Sequence, residues 1–204
     1  MEIKISKKPV KYEEAIEYLD KRVHQLSQNK NEELVWFLEH KSVYTCGVNF
    51  NQKDVLDKSV KIVKTKRGGK ITWHGPGQLI CYFVLDISKR KKDIRKFITA
   101  IENSIIETLK DFKINSFSDR KNIGIWVLDK KEEKKIAAIG FRVKKWIAFH
   151  GFSLNLSNNL DSYKKIIPCG ISDKGISKID NFKKVSKDKI INRLKINLIR
   201  NLKY

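Results

Sequence analysis

The sequence predicts an α+β (α/β) fold, a mixed, largely antiparallel sheet with helices packed against it. Three observations predict it. Three stretches repeat apolar residues at spacings of three and four, eight short apolar runs read as strands, and several of those runs are joined by turns of hairpin length. A chain of 204 residues is long enough for one domain with a substantial core and short for two, so residues 1–204 are read as a single domain.

Tyr12, Ala15, Ile16, Leu19, Val23 and Leu26 form the first stripe, with charges between them, and predict a helix over residues 12–26. His24 falls inside it as a packing or surface residue. Leu34 to Leu38 is continuously apolar, as a strand covered on both faces should be, and ends at the polar pair Glu39-His40. Val43-Tyr44-Thr45 begins the next strand before Gly47 turns it, Ile62 to Thr65 is a short strand, and Leu79 to Ile87 a longer one containing Cys81 as core filler. Ile94, Phe97, Ile98, Ile101, Ile105, Leu109 and Phe112 mark the second helix. Strands are then expected at Ile123 to Leu128, Lys135 to Val143 after the charged turn DKKEEKK, Trp146 to Phe149 and Phe152 to Leu156. Ile191, Leu194, Leu198 and Leu202 mark the last helix.

Composition limits the function classes. No apolar run approaches the roughly 18 residues that a membrane span requires, and MEIKISKKPVKYEEAIEYL lacks the apolar centre of a signal peptide, so the expected location is cytoplasmic. Cys46, Cys81 and Cys169 are an odd set without CxxC spacing, which indicates free thiols and neither a disulfide framework nor a zinc knuckle. The net charge of +21 has two readings: a functional basic surface, or a lysine-rich composition spread over the whole chain.

The segment from Lys66 to Asp86, KRGGKITWHGPGQLICYFVLD, concentrates Gly68, Gly69, Gly75 and Gly77 around His74 ahead of an apolar run. Glycine pairs flanking a histidine suit either a loop shaped around a ligand or two tight turns between strands. Cys169, between proline and glycine in IIPCGIS, is the best nucleophile candidate, since a loop can expose sulfur at a fixed angle. Lys135 is the second candidate for chemistry, because it opens the apolar strand KIAAIGF, whose small residues would let another backbone or an acyl chain come close, although Lys130, Lys131 and Lys134 stand nearby. His74 and His150 each precede glycine and can orient substrate or shuttle a proton. No HExxH, paired ligand spacing or acidic cluster indicates a metal.

RGGKITWHGPGQL, KKIAAIGFRV, HGFSLNL and PCGISDKG, in this order and at these separations, resemble the lipoyl(octanoyl) transferases over roughly residues 12–180. The resemblance implies the catalytic-domain fold shared with lipoate and biotin protein ligases. It also implies movement of an octanoyl group from octanoyl-acyl carrier protein, through a cysteine thioester, to a lysine of lipoyl-accepting domains, the first step of protein lipoylation from endogenous octanoate. Cys169 would be the acyl-accepting nucleophile, and Lys135 would lower its pKa and serve as acid and base. Arg67, Gly68, Gly69, Lys70, Ile71, Thr72, Trp73 and His74, with Ala138, Ile139, Gly140, Gly151, Phe152 and Ser153, would line the acyl and pantetheine pocket. Implied partners are the acidic octanoyl-acyl carrier protein, the lipoyl domains of 2-oxoacid dehydrogenase complexes and the glycine cleavage H protein. No cofactor, metal, nucleic acid or membrane is implied.

Two alternatives differ in testable ways. An ATP-dependent lipoate ligase of the same fold needs no cysteine in this motif. A basic nucleic-acid-binding module would interleave aromatics with Lys/Arg on exposed strands, whereas Trp36, Trp73, Trp126 and Trp146 mostly sit in apolar runs suited to a core.

Overall fold

The computed structural model describes residues 1–171 and 173–203; the side chain of Cys169 lies outside what it describes. The chain order is β1 (Glu2–Ile5), α1 (Tyr12–Ser27), β2 (Leu34–Leu38), β3 (Val43–Cys46), β4 (Ile62–Lys64), β5 (Ile71–His74), β6 (Gln78–Asp86), α2 (Ile94–Asp111), β7 (Ser116–Ser118), β8 (Ile125–Asp129), β9 (Glu132–Lys144), β10 (Ile147–Asn155), β11 (Gly175–Ile176) and α3 (Lys187–Asn201). The large sheet runs β1-β2-β6-β10-β9-β8-β7, with β11 beside β9, and a small sheet runs β4-β3-β5. Among the strands described, β1/β2, β11/β9 and β3/β4 pair in parallel and the other pairs are antiparallel.

The central strand β6 explains the layering. Leu79, Cys81, Phe83 and Leu85 point to one face, against Phe97, Ile101 and Ile105 of α2 and Ile191, Leu194 and Leu198 of α3. Ile80, Tyr82 and Val84 point to the other face, against Ala15, Leu19 and Val23 of α1. A strand covered on both sides reads as an unbroken apolar run, as QLICYFVLD does. Phe97 meets Phe83 and Phe141 edge-on at 5.5 and 5.3 Å between ring centroids, a favoured aromatic geometry. Asp93 caps α2 by accepting the Lys96 amide at 3.0 Å.

Four local expectations change. Ile71–His74 is a strand, because it pairs with β3 despite the surrounding glycines. The runs expected at Trp146 to Phe149 and Phe152 to Leu156 are one continuous β10, which begins at Ile147. Trp146 stands in the turn before it, 40% exposed, and is no core residue. The DKKEEKK turn reduces to Lys130-Lys131, since β9 already begins at Glu132. In this turn and in Lys145-Trp146, both residues have positive φ, matching the twist of two-residue hairpins even without Asn-Gly.

Candidate active site

β5, β6, β9, β10, α2 and the loops around residues 67–70 and 170–171 wall a cavity of about 580 Å³. Small-molecule sites usually span roughly 300–1,000 Å³. Arg67, Gly68, Gly69, Lys70, Thr72 and His74 line it from one side. Lys135, Ala138, Ile139 and Gly140 of β9 and Gly151, Phe152 and Ser153 of β10 line it from another. Strand register brings the last two groups together: Gly140 faces Gly151, Ile139 faces Phe152 and Ala138 faces Ser153. Gly151 must be glycine, because a Cβ there would collide with the Cys81 carbonyl of β6.

Ile71 and Trp73 do not line the cavity. Alternation along β5 sends Thr72 and His74 inward and turns Ile71 and Trp73 into a separate cluster with Cys46, Tyr163 and Ile166. Of the cysteines, Cys46 and Cys81 are buried, and burial pushes the Cys81 thiol well above its ordinary pKa, which suits packing and not attack. The Cys169 side chain, the expected nucleophile, lies outside the described residues.

The surroundings of Cys169 are defined. Pro168–Gly170 forms a 3-10 turn closed by the Gly170 amide donating to the Ile167 carbonyl at 3.0 Å. Gly170, at φ 66°, packs against the Lys70 side chain, and both residues line the cavity. Lys135 lies across from this turn: with Pro168 it lines a satellite cavity of about 10 Å³. Its Nζ donates to the Ile123 carbonyl at 3.0 Å and lies 4.8 Å from the centroid of Trp126. Lys135 is 4% exposed, and no carboxylate among the described residues pairs with it. Lys134, by contrast, pairs with Glu132.

A second set of polar groups, on β-strand ends and loops, was not predicted as a cluster. Arg67 donates to the Gly68 carbonyl at 2.9 Å and to the Thr45 carbonyl and hydroxyl at 2.9 and 3.0 Å, while its buried Nε has no partner among the described residues. His40 is fully buried and bridges the Val10 carbonyl (2.9 Å) and the Tyr82 hydroxyl (2.8 Å). A carbonyl only accepts, so Nδ1 carries the proton and Nε2 accepts from Tyr82. His74 and His150 are held at about 3 and about 4, mainly by burial. For His74 repulsion from His40, were that ring protonated, and from the Arg67 guanidinium adds to it, and for His150 repulsion from Arg67 and Arg142. Both rings are therefore neutral near pH 7. They suit hydrogen bonding better than acid catalysis. His150 also sits at φ 73° inside β10, an uncommon conformation for a side-chain-bearing residue.

Tyr82, Ile80, Ile98 and Phe141 also line the cavity, although the sequence marks them only as members of apolar strands and of a helix stripe. A tyrosine in an otherwise apolar strand was the available signal, since a buried hydroxyl needs a partner. Among the described residues, no group of three or more His, Cys, Asp or Glu side chains is arranged to hold a metal ion.

Residues 11–198 match the model of the lipoyl protein ligase A/B catalytic domain. The octanoyltransferase of Wolbachia pipientis subsp. Culex pipiens is 42% identical over 177 residues, covering 86% of each chain. That of Bartonella bacilliformis is 44% identical over 189 residues, covering 88% of this chain and 78% of its own. Among solved structures, a lipoate-protein ligase A bound with ATP superposes with a TM-score of 0.73 at 16% identity, covering 99% of this chain and 86% of its own. A bipartite lipoate protein ligase from Thermoplasma acidophilum gives 0.73 at 15% identity, covering 99% and 84%. These two show the fold alone. With a family model spanning most of its length and relatives above 40% identity, the chain belongs to the lipoyl protein ligase A/B catalytic-domain family and, within it, to the octanoyltransferases.

Proposed function

We propose that this chain moves an octanoyl group from octanoyl-acyl carrier protein to a lysine of lipoyl-accepting domains through a thioester on Cys169. The observation that carries this reading is the buried Lys135, with no carboxylate partner among the described residues, beside the Pro168–Gly170 turn at the wall of a cavity lined by both apolar and cationic groups. Lys135 takes the thiol proton of Cys169. The thiolate attacks the donor carbonyl, the new C–S bond forms, the bond to pantetheine sulfur breaks, and the proton passes to that leaving sulfur. In the second half, the acceptor amine attacks the acyl-enzyme, a C–N bond forms, and Cys169 leaves and regains a proton relayed by Lys135. The donor thioester is already activated, so the amide forms without ATP.

The apolar wall of Ile80, Ile98, Ile139, Phe141 and Phe152 suits the eight-carbon chain, and glycine-rich backbone near Gly68 and Gly69 suits close approach of the thioester and its oxyanion. Lipoyl domains of 2-oxoacid dehydrogenase complexes and the glycine cleavage H protein are the proposed acceptors. The proposed place of action is the cytoplasm; among the described residues no helix is long and apolar enough to cross a membrane. The test is octanoyl transfer from octanoyl-acyl carrier protein to a lipoyl domain, with and without ATP. Transfer without ATP supports the reading, and a requirement for ATP with free octanoate points instead to a ligase.

A further inference from the structure

The orientation of His74 can be traced back, one hydrogen bond at a time, to a backbone carbonyl that offers no choice. Asn155 Nδ2 donates to the Ser177 carbonyl at 3.0 Å, so its Oδ1 faces the other way, towards Gln78. Gln78 is fully buried, and its Nε2 donates to that Oδ1 at 2.9 Å and to the Tyr163 hydroxyl at 2.7 Å. Its Oε1 is then left facing His74 Nδ1 at 2.7 Å. An amide oxygen only accepts, so Nδ1 must carry the imidazole proton. Nε2 keeps its lone pair.

Nothing among the described residues hydrogen-bonds to that Nε2, and the ring lines the cavity. His40 differs, because its own Nε2 is occupied by Tyr82. The His74 ring is also held in place, stacked on Tyr12 at 6.4 Å and 8° and flanked by His40 at 5.9 Å. An oriented, unfilled acceptor in a pocket matches an N–H donor on whatever the pocket takes.

We propose that Gln78 is a positioning residue that fixes His74 as a hydrogen-bond acceptor at Nε2, and that this nitrogen receives an N–H of the substrate. The octanoyl chain has no such group. On the acyl-transfer reading, two substrate parts do: the amides of the pantetheine arm and the amine of the acceptor lysine.

The tautomer is measured directly by nitrogen–proton correlation NMR of the wild-type protein at pH 7, which does not depend on activity. Nδ1 protonated with Nε2 bare is expected; a proton on Nε2 overturns the proposal. Gln78→Leu should lose the single tautomer. It should also lower the affected half-reaction about tenfold, as for one lost hydrogen bond, as should His74→Gln, which leaves Gln78 in place. Single-turnover acylation by octanoyl-pantetheine is compared with an octanoyl thioester of mercaptoethanol, which has no amide, and transfer to a lysine peptide is followed separately. A loss confined to octanoyl-pantetheine assigns the pantetheine amide, and a loss confined to amine transfer assigns the lysine. Unchanged rates in folded variants of both residues refute the substrate contact. If the wild-type protein forms no acyl-enzyme, the acyl-transfer reading fails while the tautomer measurement still decides the role of Gln78.

Discussion

Acidifying the protein from pH 6.5 to 5.5 should destabilise it measurably, through histidines that the fold keeps neutral. His74 and His150 have folded pKa values of about 3 and about 4, against an ordinary value of 6.5. As pH falls below 6.5, the unfolded chain takes up these protons first. The stability is therefore complete above pH 6.5 and is lost progressively as pH falls towards the folded values. Over that single pH unit each ring costs about 1 kcal/mol, so the two together cost about 2 kcal/mol, with buried His40 acting in the same direction. Carboxylates contribute little in this window, since their ordinary values lie lower. The assay is urea denaturation at both pH values, for the wild type and for His150→Asn. Asparagine tolerates the positive φ of this position and does not titrate. The loss should shrink by about 1 kcal/mol in the variant. Equal losses in the two proteins would mean that His150 is solvated or hydrogen-bonded in the folded state, and would refute the buried-neutral account of this ring.

Other outcomes follow from the site. Lys135→Met should slow acylation by roughly 10²-fold and move the pH dependence of Cys169 alkylation upward, while Lys134→Met, whose ammonium pairs with Glu132, should do neither. Cys81→Ala should cost about 1–2 kcal/mol in denaturant unfolding and leave turnover intact, because that thiol packs between β6 and the α2 face. Raising salt should weaken kcat/KM for octanoyl-acyl carrier protein more than for a small octanoyl thioester if the basic surface steers an acidic carrier. Residues 161–204 hold twelve Lys/Arg against four Asp. However, Lys165, Lys174, Lys187 and Arg200 are paired with Asp57, Glu133, Glu39 and Glu107, so equal salt dependence would assign the charge to composition.

What could be read from the sequence was whatever repeats with a period. α1, β2, β6, α2 and α3 announce themselves because each buries a continuous stripe or run. β1 does not, since EIKI alternates at a sheet edge and pairs on one side only, with β2. The site motifs were visible as segments, but their meeting was not. Gly140 and Gly151 become neighbours through strand register, and Lys135 reaches the Pro168 turn through the parallel pairing of β11 with β9. His40 was missed for a plainer reason. A polar pair ending a strand looks solvent-facing until the chain folds back and sets the Val10 carbonyl against it.

The central claim is that Cys169 carries the acyl group. Incubating the protein with octanoyl-acyl carrier protein in the absence of an acceptor, then recording intact mass and mapping the adduct to a peptide, tests it most directly. One octanoyl group, labile to hydroxylamine, mapped to Cys169 and absent from Cys169→Ala, is the predicted result. An unmodified protein, or an adduct that persists in Cys169→Ala, would contradict it.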